Sequence, residues 1–478
     1  MPTYRLWSVA MAVFIGVLSA PPPRALAQQP DAASEERQQR RIDELDQRVR
    51  ALSEELQALR ERQQQDRASR EQSTQPAPGL GGPENEAKLA TLADEVQRLK
   101  QMFVLPELAE YKSLYGLGPA ASKVYGLQRG LAIGGYGEAL LSLYPDQDRD
   151  NIADFLRFVL YLGYKFSDRI LFNAEIEFEH ALIGEDTISA ASGAVELEFA
   201  YLDIRLVEPA NLRTGLLLIP MGWLNELHEP PTYFGNRRPE VERRIIPTTW
   251  RSLGAGLYGE ALPGLTYRTY GVTSFNAAGF ASDGFRDGRQ QGNEEIANDW
   301  AWTGRVDYSG VPGLIVGGSW WWGNTAQDIP FAGQDVSANL FMYDLHAQFQ
   351  YRGLWLRGLF VQGLLRDARA LTLAGDPDEP IAEMVWGIYG EIAYNVLPLL
   401  WPETRQSLEP FFRFEHLNTQ AKVPSGFTPN EANNLDVINA GVSYKPVPNV
   451  VFKADYRQFN PKSGDTIDEF NLGFGFSF

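Results

Sequence analysis

From Leu131 to Phe478 the chain keeps a period of two, over stretches too long for an ordinary soluble sheet. In one stretch Leu156, Phe158, Leu160, Leu162, Tyr164 and Phe166 alternate with Arg157, Tyr161 and Lys165. In the next, Ile170, Phe172, Ala174, Ile176 and Phe178 alternate with Asn173, Glu175, Glu177 and Glu179. Strict alternation places one set of side chains on each face of a sheet. A soluble sandwich uses strands of about five or six residues. These runs reach ten or more, and one face carries three carboxylates. Strands of about 9–11 residues, polar on one face and apolar on the other, suit a barrel in lipid. Such a barrel must close, because an open edge would leave backbone groups unpaired in hydrocarbon.

The connections alternate in length. Short turns read Ser167-Asp168-Arg169, Glu208-Pro209-Ala210-Asn211, Pro263-Gly264, Ser309 to Gly313, Arg352-Gly353 and Lys445 to Asn449, with a longer one at Asn395 to Ser407. Long polar loops fall between them at 145–151, 183–193, 220–250, 277–299, 324–336, 367–380, 419–434 and 460–466. Eight loops and seven turns predict an all-β transmembrane barrel of about sixteen antiparallel strands over 130–478. An even count puts both barrel ends on the periplasmic side. The last stretch alternates Phe470, Leu472, Phe474, Phe476 and Phe478 with Asn471, Gly473, Gly475 and Ser477. Outer-membrane barrels finish in this way, so Phe478 is expected to be the signal read by the barrel assembly machinery.

The front of the chain is different. Arg5, the apolar run Leu6 to Ala20, Pro21-Pro22-Pro23 and the small-residue site Ala25-Leu26-Ala27 predict a cleavable signal peptide over 1–27, so the mature chain starts near Gln28. Ile42, Leu45, Val49, Leu52, Leu56 and Leu59 follow the a/d spacing of a coiled coil. A Gln/Ser/Pro/Gly tract, 72–83, breaks it, and a second seam runs through Leu89, Leu92, Val96, Leu99 and Phe103. The expected order is a periplasmic coiled coil at 28–71, a flexible linker at 72–83, a second helical segment at 84–105, a linker at 106–129, then the barrel. The seams bury their apolar stripe either in a helical hairpin or between chains. With no Cys in the chain, neither a lipoprotein anchor nor disulfides are available.

Charge is unevenly placed. Residues 1–129 carry 17 basic and 17 acidic residues, so the net charge of −18 lies wholly in 130–478. An acidic, aromatic-rich region is a poor nucleic-acid binder, and no nucleic-acid partner is expected.

Several stretches resemble the phosphate-selective O and P porin family: IGGYGEALL at 133–141, RFVLYLGYKFSDRILFNAEIEFEHA at 157–181, VELEFAYLDI at 195–204, and above all NLRTGLLLIPMGWLNELHEPPTYFGNRRPEVERRIIPTTW at 211–250. The resemblance implies a trimer of sixteen-stranded barrels with an inward-folded third loop. In that family basic residues lining the pore select anions. This sequence offers Glu175, Glu177, Glu179, Glu196 and Glu198 on strands three and four instead.

Loop 220–250 holds the densest set of charges: Glu226, His228, Glu229, Arg237, Arg238, Glu240, Glu242, Arg243 and Arg244, stiffened by Pro230, Pro231, Pro239, Pro247 and Tyr233-Phe234. It is the expected pore constriction; a solvated external loop is the alternative. The expected lining is Glu138, Arg157, Glu175, Glu177, Glu179, Glu196 and Glu198 from the early strands, with Arg305, Arg357, Arg413, Lys453 and Arg457 from the later ones. These could form an acidic wall facing a basic one, or merely internal salt bridges. Within the loop, Glu226, Glu229, Glu240 and Glu242 match the four arginines one for one. The acidic lumen then predicts weak cation preference.

No G-x-S-x-G or H-E-x-x-H occurs, and His228-Glu229 is followed by two prolines, so no enzyme, cofactor or metal is expected. The expected function is an outer-membrane porin for passive diffusion of small hydrophilic solutes or ions. Its partners would be outer-membrane lipid and two further copies of itself. The alternative is a structural outer-membrane anchor whose coil tethers to the cell wall.

Overall fold

The computed structural model describes residues 113–145, 149–185, 192–207 and 209–478. The expected signal peptide, both helical seams and the 72–83 linker lie outside the described residues. Sixteen strands form the wall. They are β1 (Gly130–Leu143), β2 (Ile152–Lys165), β3 (Ile170–Glu185), β4 (Ser192–Val207), β5 (Ala210–Leu218), β6 (Arg251–Leu262), β7 (Leu265–Thr273) and β8 (Trp300–Tyr308). Then come β9 (Leu314–Gly323), β10 (Leu340–Tyr351), β11 (Leu354–Leu365), β12 (Met384–Tyr394), β13 (Ser407–Lys422), β14 (Asn434–Val447), β15 (Val450–Pro461) and β16 (Ile467–Ser477).

Each strand pairs antiparallel with its sequence neighbours, and β1 pairs with β16 to close the barrel. The closing register runs from Tyr136 opposite Ser477 to Leu143 opposite Phe470. Phe478 extends it by two backbone bonds with Gly135: its N–H donates at 2.8 Å and its carbonyl accepts at 3.0 Å. The terminal aromatic therefore sits on the seam where first and last strands meet.

Along the wall strands charged side chains point inward and large apolar ones outward, the reverse of a soluble sheet. On β10, Asp344 is 1% exposed, Leu345 60% and His346 4%. On β13, Arg413 is fully buried between the exposed Phe412 and Phe414. Alternation alone produces this, since neighbouring side chains point to opposite faces. An outer surface of Leu, Ile, Val, Phe and Trp is one that a bilayer can cover. One departure from strict alternation matters below. In β4, Phe199 pairs with Glu175 and Leu197 with Ile176, which leaves Glu198 as an extra residue. This bulge turns both Glu198 and Phe199 inward, and both are buried.

Candidate functional site

Loop 3, the connection between β5 and β6, folds into the lumen. Asn225 clasps its two ends. Its Nδ2 donates to the carbonyls of Ile219 and Trp250 at 2.7 and 2.8 Å, and its Oδ1 accepts from the Trp250 N–H at 2.8 Å. From that clasp the loop crosses to the far wall. The Gly222 N–H donates to Asp344 at 3.0 Å, Val241 N–H to Glu415 at 3.0 Å, and Asn236 N–H to Asp455 at 2.7 Å. A single π turn, Val241–Ile245, packs against β12 and β13.

The basic residues expected to line the later strands bind this loop. Lys453 donates to the Gly235 carbonyl at 2.8 Å and lies over the Tyr233 ring. Arg413 reaches the Phe234 and Arg237 carbonyls while pairing with Glu391 and Glu415. Arg357 bonds Gln348 and the Thr232 carbonyl, and Arg305 pairs with Asp307 and reaches the Gly222 carbonyl. Arg457 pairs with Glu240 at 2.7 Å. Among the described residues these cations anchor the loop and form no separate basic wall.

The loop's own charges separate by direction. Arg237, Arg238, Glu240, Arg243 and Arg244 line an outward-opening cavity of about 390 Å³ together with Glu138, Arg157 and Glu179. This vestibule has eight arginines and four glutamates on its surface. Glu240 bridges Arg243 and Arg244 at 2.7 and 3.0 Å. Burial alone would raise its pKa, but Arg457, Arg243 and Arg244 hold its carboxyl well below the usual range. Arg238 is buried, with no partner for Nε or Nη2 among the described residues. On the outer loop 274–299, burial, then the nearby Arg243 and Arg238, lower the pKa of Arg286.

The remaining members of the expected constriction turn away from the cavity, which corrects the one-for-one balance drawn from the sequence. Glu242 accepts from the Leu224 N–H at 2.7 Å and the Tyr389 hydroxyl at 2.6 Å. Glu226 lies 3.5 Å from Arg268. Glu229 accepts from the Ala120 and Ala121 amides at 2.8 and 3.3 Å, and burial pushes its carboxyl up to about 7. His228 lies 3.1 Å from both Glu175 and Glu198. Burial alone would lower its pKa; the two carboxylates raise it to about 10. Of the early-strand acids, Glu138 and Glu177 pair with Arg157, and Glu196 pairs with Arg251 at 2.6 Å.

Part of the expected 106–129 linker is also inside the barrel. Residues 113–127, with the short helix α1 (Lys123–Gly126), pack on the inner face of β1 and β2. Leu117, Val124 and Tyr125 are buried there, each worth about 1.5–3 kcal/mol of apolar burial. The Tyr125 hydroxyl donates to Asp203 at 2.5 Å, and Asp203 also holds Arg213 at 2.8 Å. The Arg213 guanidinium in turn sits between the Tyr201 and Tyr258 rings. Two glycines allow the close fit. A Cβ on Gly163 would fall 2.5 Å from that of Val124, and one on Gly118 would fall 2.1 Å from Glu229 Oε1. Sequence reasoning missed this segment. Its apolar residues Leu114, Leu117, Val124 and Tyr125 stand among glycines and alanines and follow no strand or helix period.

A closed sixteen-stranded barrel, apolar outside and narrowed by an inward third loop, defines an outer-membrane barrel of the porin type. No family model matches the sequence. An uncharacterized protein of Aquifex aeolicus (strain VF5) is 38% identical over 372 residues, covering 75% of this chain and 82% of that protein, and the chain belongs to its family. Among solved structures, Pseudomonas putida OprB superposes with a TM-score of 0.50 at 10% identity, covering 73% of this chain and 94% of that one. A loop L8 deletion mutant of OmpT, an outer membrane protein of Vibrio cholerae, gives 0.47 at 11% identity, covering 74% and 100%. At 10% identity the likeness to OprB speaks of fold alone.

Proposed function

We propose that this chain forms a water-filled channel of the bacterial outer membrane for passive diffusion of small solutes, and that its outer vestibule favours anions. The observation that carries the reading is the vestibule surface, with eight arginines against four glutamates. Arg238 stands in its wall, buried, with Nε and Nη2 unpartnered among the described residues. Guanidinium groups bind oxyanions in fork geometry, and a ring of arginines in a narrow throat sorts ions by sign. Charges beyond a Debye length of about 8 Å are screened, so the vestibule outweighs the −18 of the whole chain. The reading therefore replaces the weak cation preference expected from composition. The resemblance to phosphate-selective porins points to small oxyanions as the solute class and to a homotrimer as the assembly.

Single-channel recording in planar bilayers under a salt gradient tests this. The expected reversal potential has the sign of anion preference; a cation-selective pore would overturn it. A second reading, the structural anchor, has support in segment 113–127, which occupies lumen that a wide pore would leave open. A folded barrel without conductance would favour that reading.

A further inference from the structure

We propose that Glu175, Glu198 and His228 form a divalent-metal site that clips loop 3 to the barrel wall. The three ligand atoms lie within 4.8 Å of one another, although they come from β3, β4 and loop 3. The imidazole is already oriented. Its Nδ1 is 3.0 Å from the Asn225 carbonyl, and a carbonyl only accepts, so Nδ1 carries the proton and Nε2 faces the carboxylates. Metal-bound histidines are held in this way, by a second hydrogen bond that fixes the tautomer. Nε2 stands 3.1 Å from Glu175 Oε1 and 3.1 Å from Glu198 Oε2. Zinc with bonds of about 2.0–2.2 Å separates tetrahedral ligand atoms by about 3.4 Å. Small side-chain shifts convert one arrangement into the other.

A cluster of acids alone would not make a site; orphaned acceptors are the second observation. Glu175 Oε2 and Glu198 Oε1 have no hydrogen-bond donor among the described residues, and both side chains are fully buried. Buried carboxylate oxygens without donors are costly. Glu177 lies against Glu198 but stands outside the three-residue cluster. The nearby Arg157 is shared between Glu138 and Glu177. One imidazole with two carboxylates suits zinc and its first-row neighbours, while calcium and magnesium take all-oxygen shells. The proton on Nε2 leaves when the metal enters, so uptake strengthens as pH rises. The bulge at Glu198 acquires a purpose here, since without it β4 would present no carboxylate opposite His228.

This inference stands apart from the channel reading, because conduction and metal content are measured separately. Full-length protein, folded in detergent and stripped with EDTA, is dialysed against zinc and its metal counted by mass spectrometry. One zinc per barrel is expected. Binding should weaken at least about tenfold in Glu198→Gln and in His228→Gln, with folding checked by heat-modifiable gel migration. Glu175→Gln serves where His228→Gln fails to fold. Cobalt should give the visible absorption of a tetrahedral site in the wild type and lose it in the variants. Zinc no higher than in Glu198→Gln, or zinc that survives every substitution, overturns the site.

Discussion

Two charged regions of the lumen adjoin each other and differ in what covers them. The vestibule exposes Arg243 and Arg244 to its cavity, with Arg238 buried in its wall. Just beneath, the wall of β3 and β4 carries Glu175, Glu177 and Glu198, all buried. By charge per strand the wall is the stronger feature. By access it is the weaker, because loop 3 lies over it with His228 and segment 113–127 fills the space beside it. Selectivity belongs to charges that meet the ion, and a carboxylate already paired with a cation presents little field beyond it.

The largest expected effect comes from removing what covers the wall. Deleting 113–127 takes Tyr125 from Asp203 and the Ala120 and Ala121 amides from Glu229. Single-channel conductance should rise about twofold or more as the lumen widens. The reversal potential should move toward cations as Asp203 and Glu229 become accessible. Unchanged conductance would mean that the segment stands outside the conducting path.

Reversing charge in the vestibule should act next most strongly. Arg243→Glu together with Arg244→Glu leaves six arginines against six glutamates on its surface. The anion preference should vanish with little change in conductance. A reversal potential that does not move would show that the open face of loop 3 does not meet the ion, and the contrast between the regions would fail.

Much of this was legible in the sequence, for a physical reason. A wall strand repeats one rule at every residue, so alternation marked the strands, and the short and long connections set their number at about sixteen; the third loop was expected to fold inward, with an external loop as the alternative. Direction within that loop was not legible, because a loop has no period. Glu240 and Glu242 are two residues apart, yet one meets Arg243 in the vestibule and the other meets Tyr389 in the wall. The Glu198 bulge was hidden for the opposite reason, since strict alternation was assumed where one residue breaks it. Segment 113–127 was too short to show a period, and its partners Asp203, Glu229 and Arg268 lie far along the chain.

The smallest expected effect is the sharpest test of the contrast. Glu226→Gln removes a negative charge from the same loop that carries the vestibule arginines, and keeps size and an acceptor oxygen. Counted along the sequence, it should shift selectivity toward anions as much as any loop carboxylate. In the folded chain Glu226 is buried 3.5 Å from Arg268, which also pairs with Asp307 at 2.8 Å. Arg268 keeps Asp307 when Glu226 is neutralised, so no bare cation is left behind. The loss should be confined to one partly shared ion pair, with a cost on the order of 1–3 kcal/mol in unfolding. The reversal potential should stay at the wild-type value within error. A clear shift toward anions would mean that the ion senses charge through the covering loop, and that access does not separate the two regions.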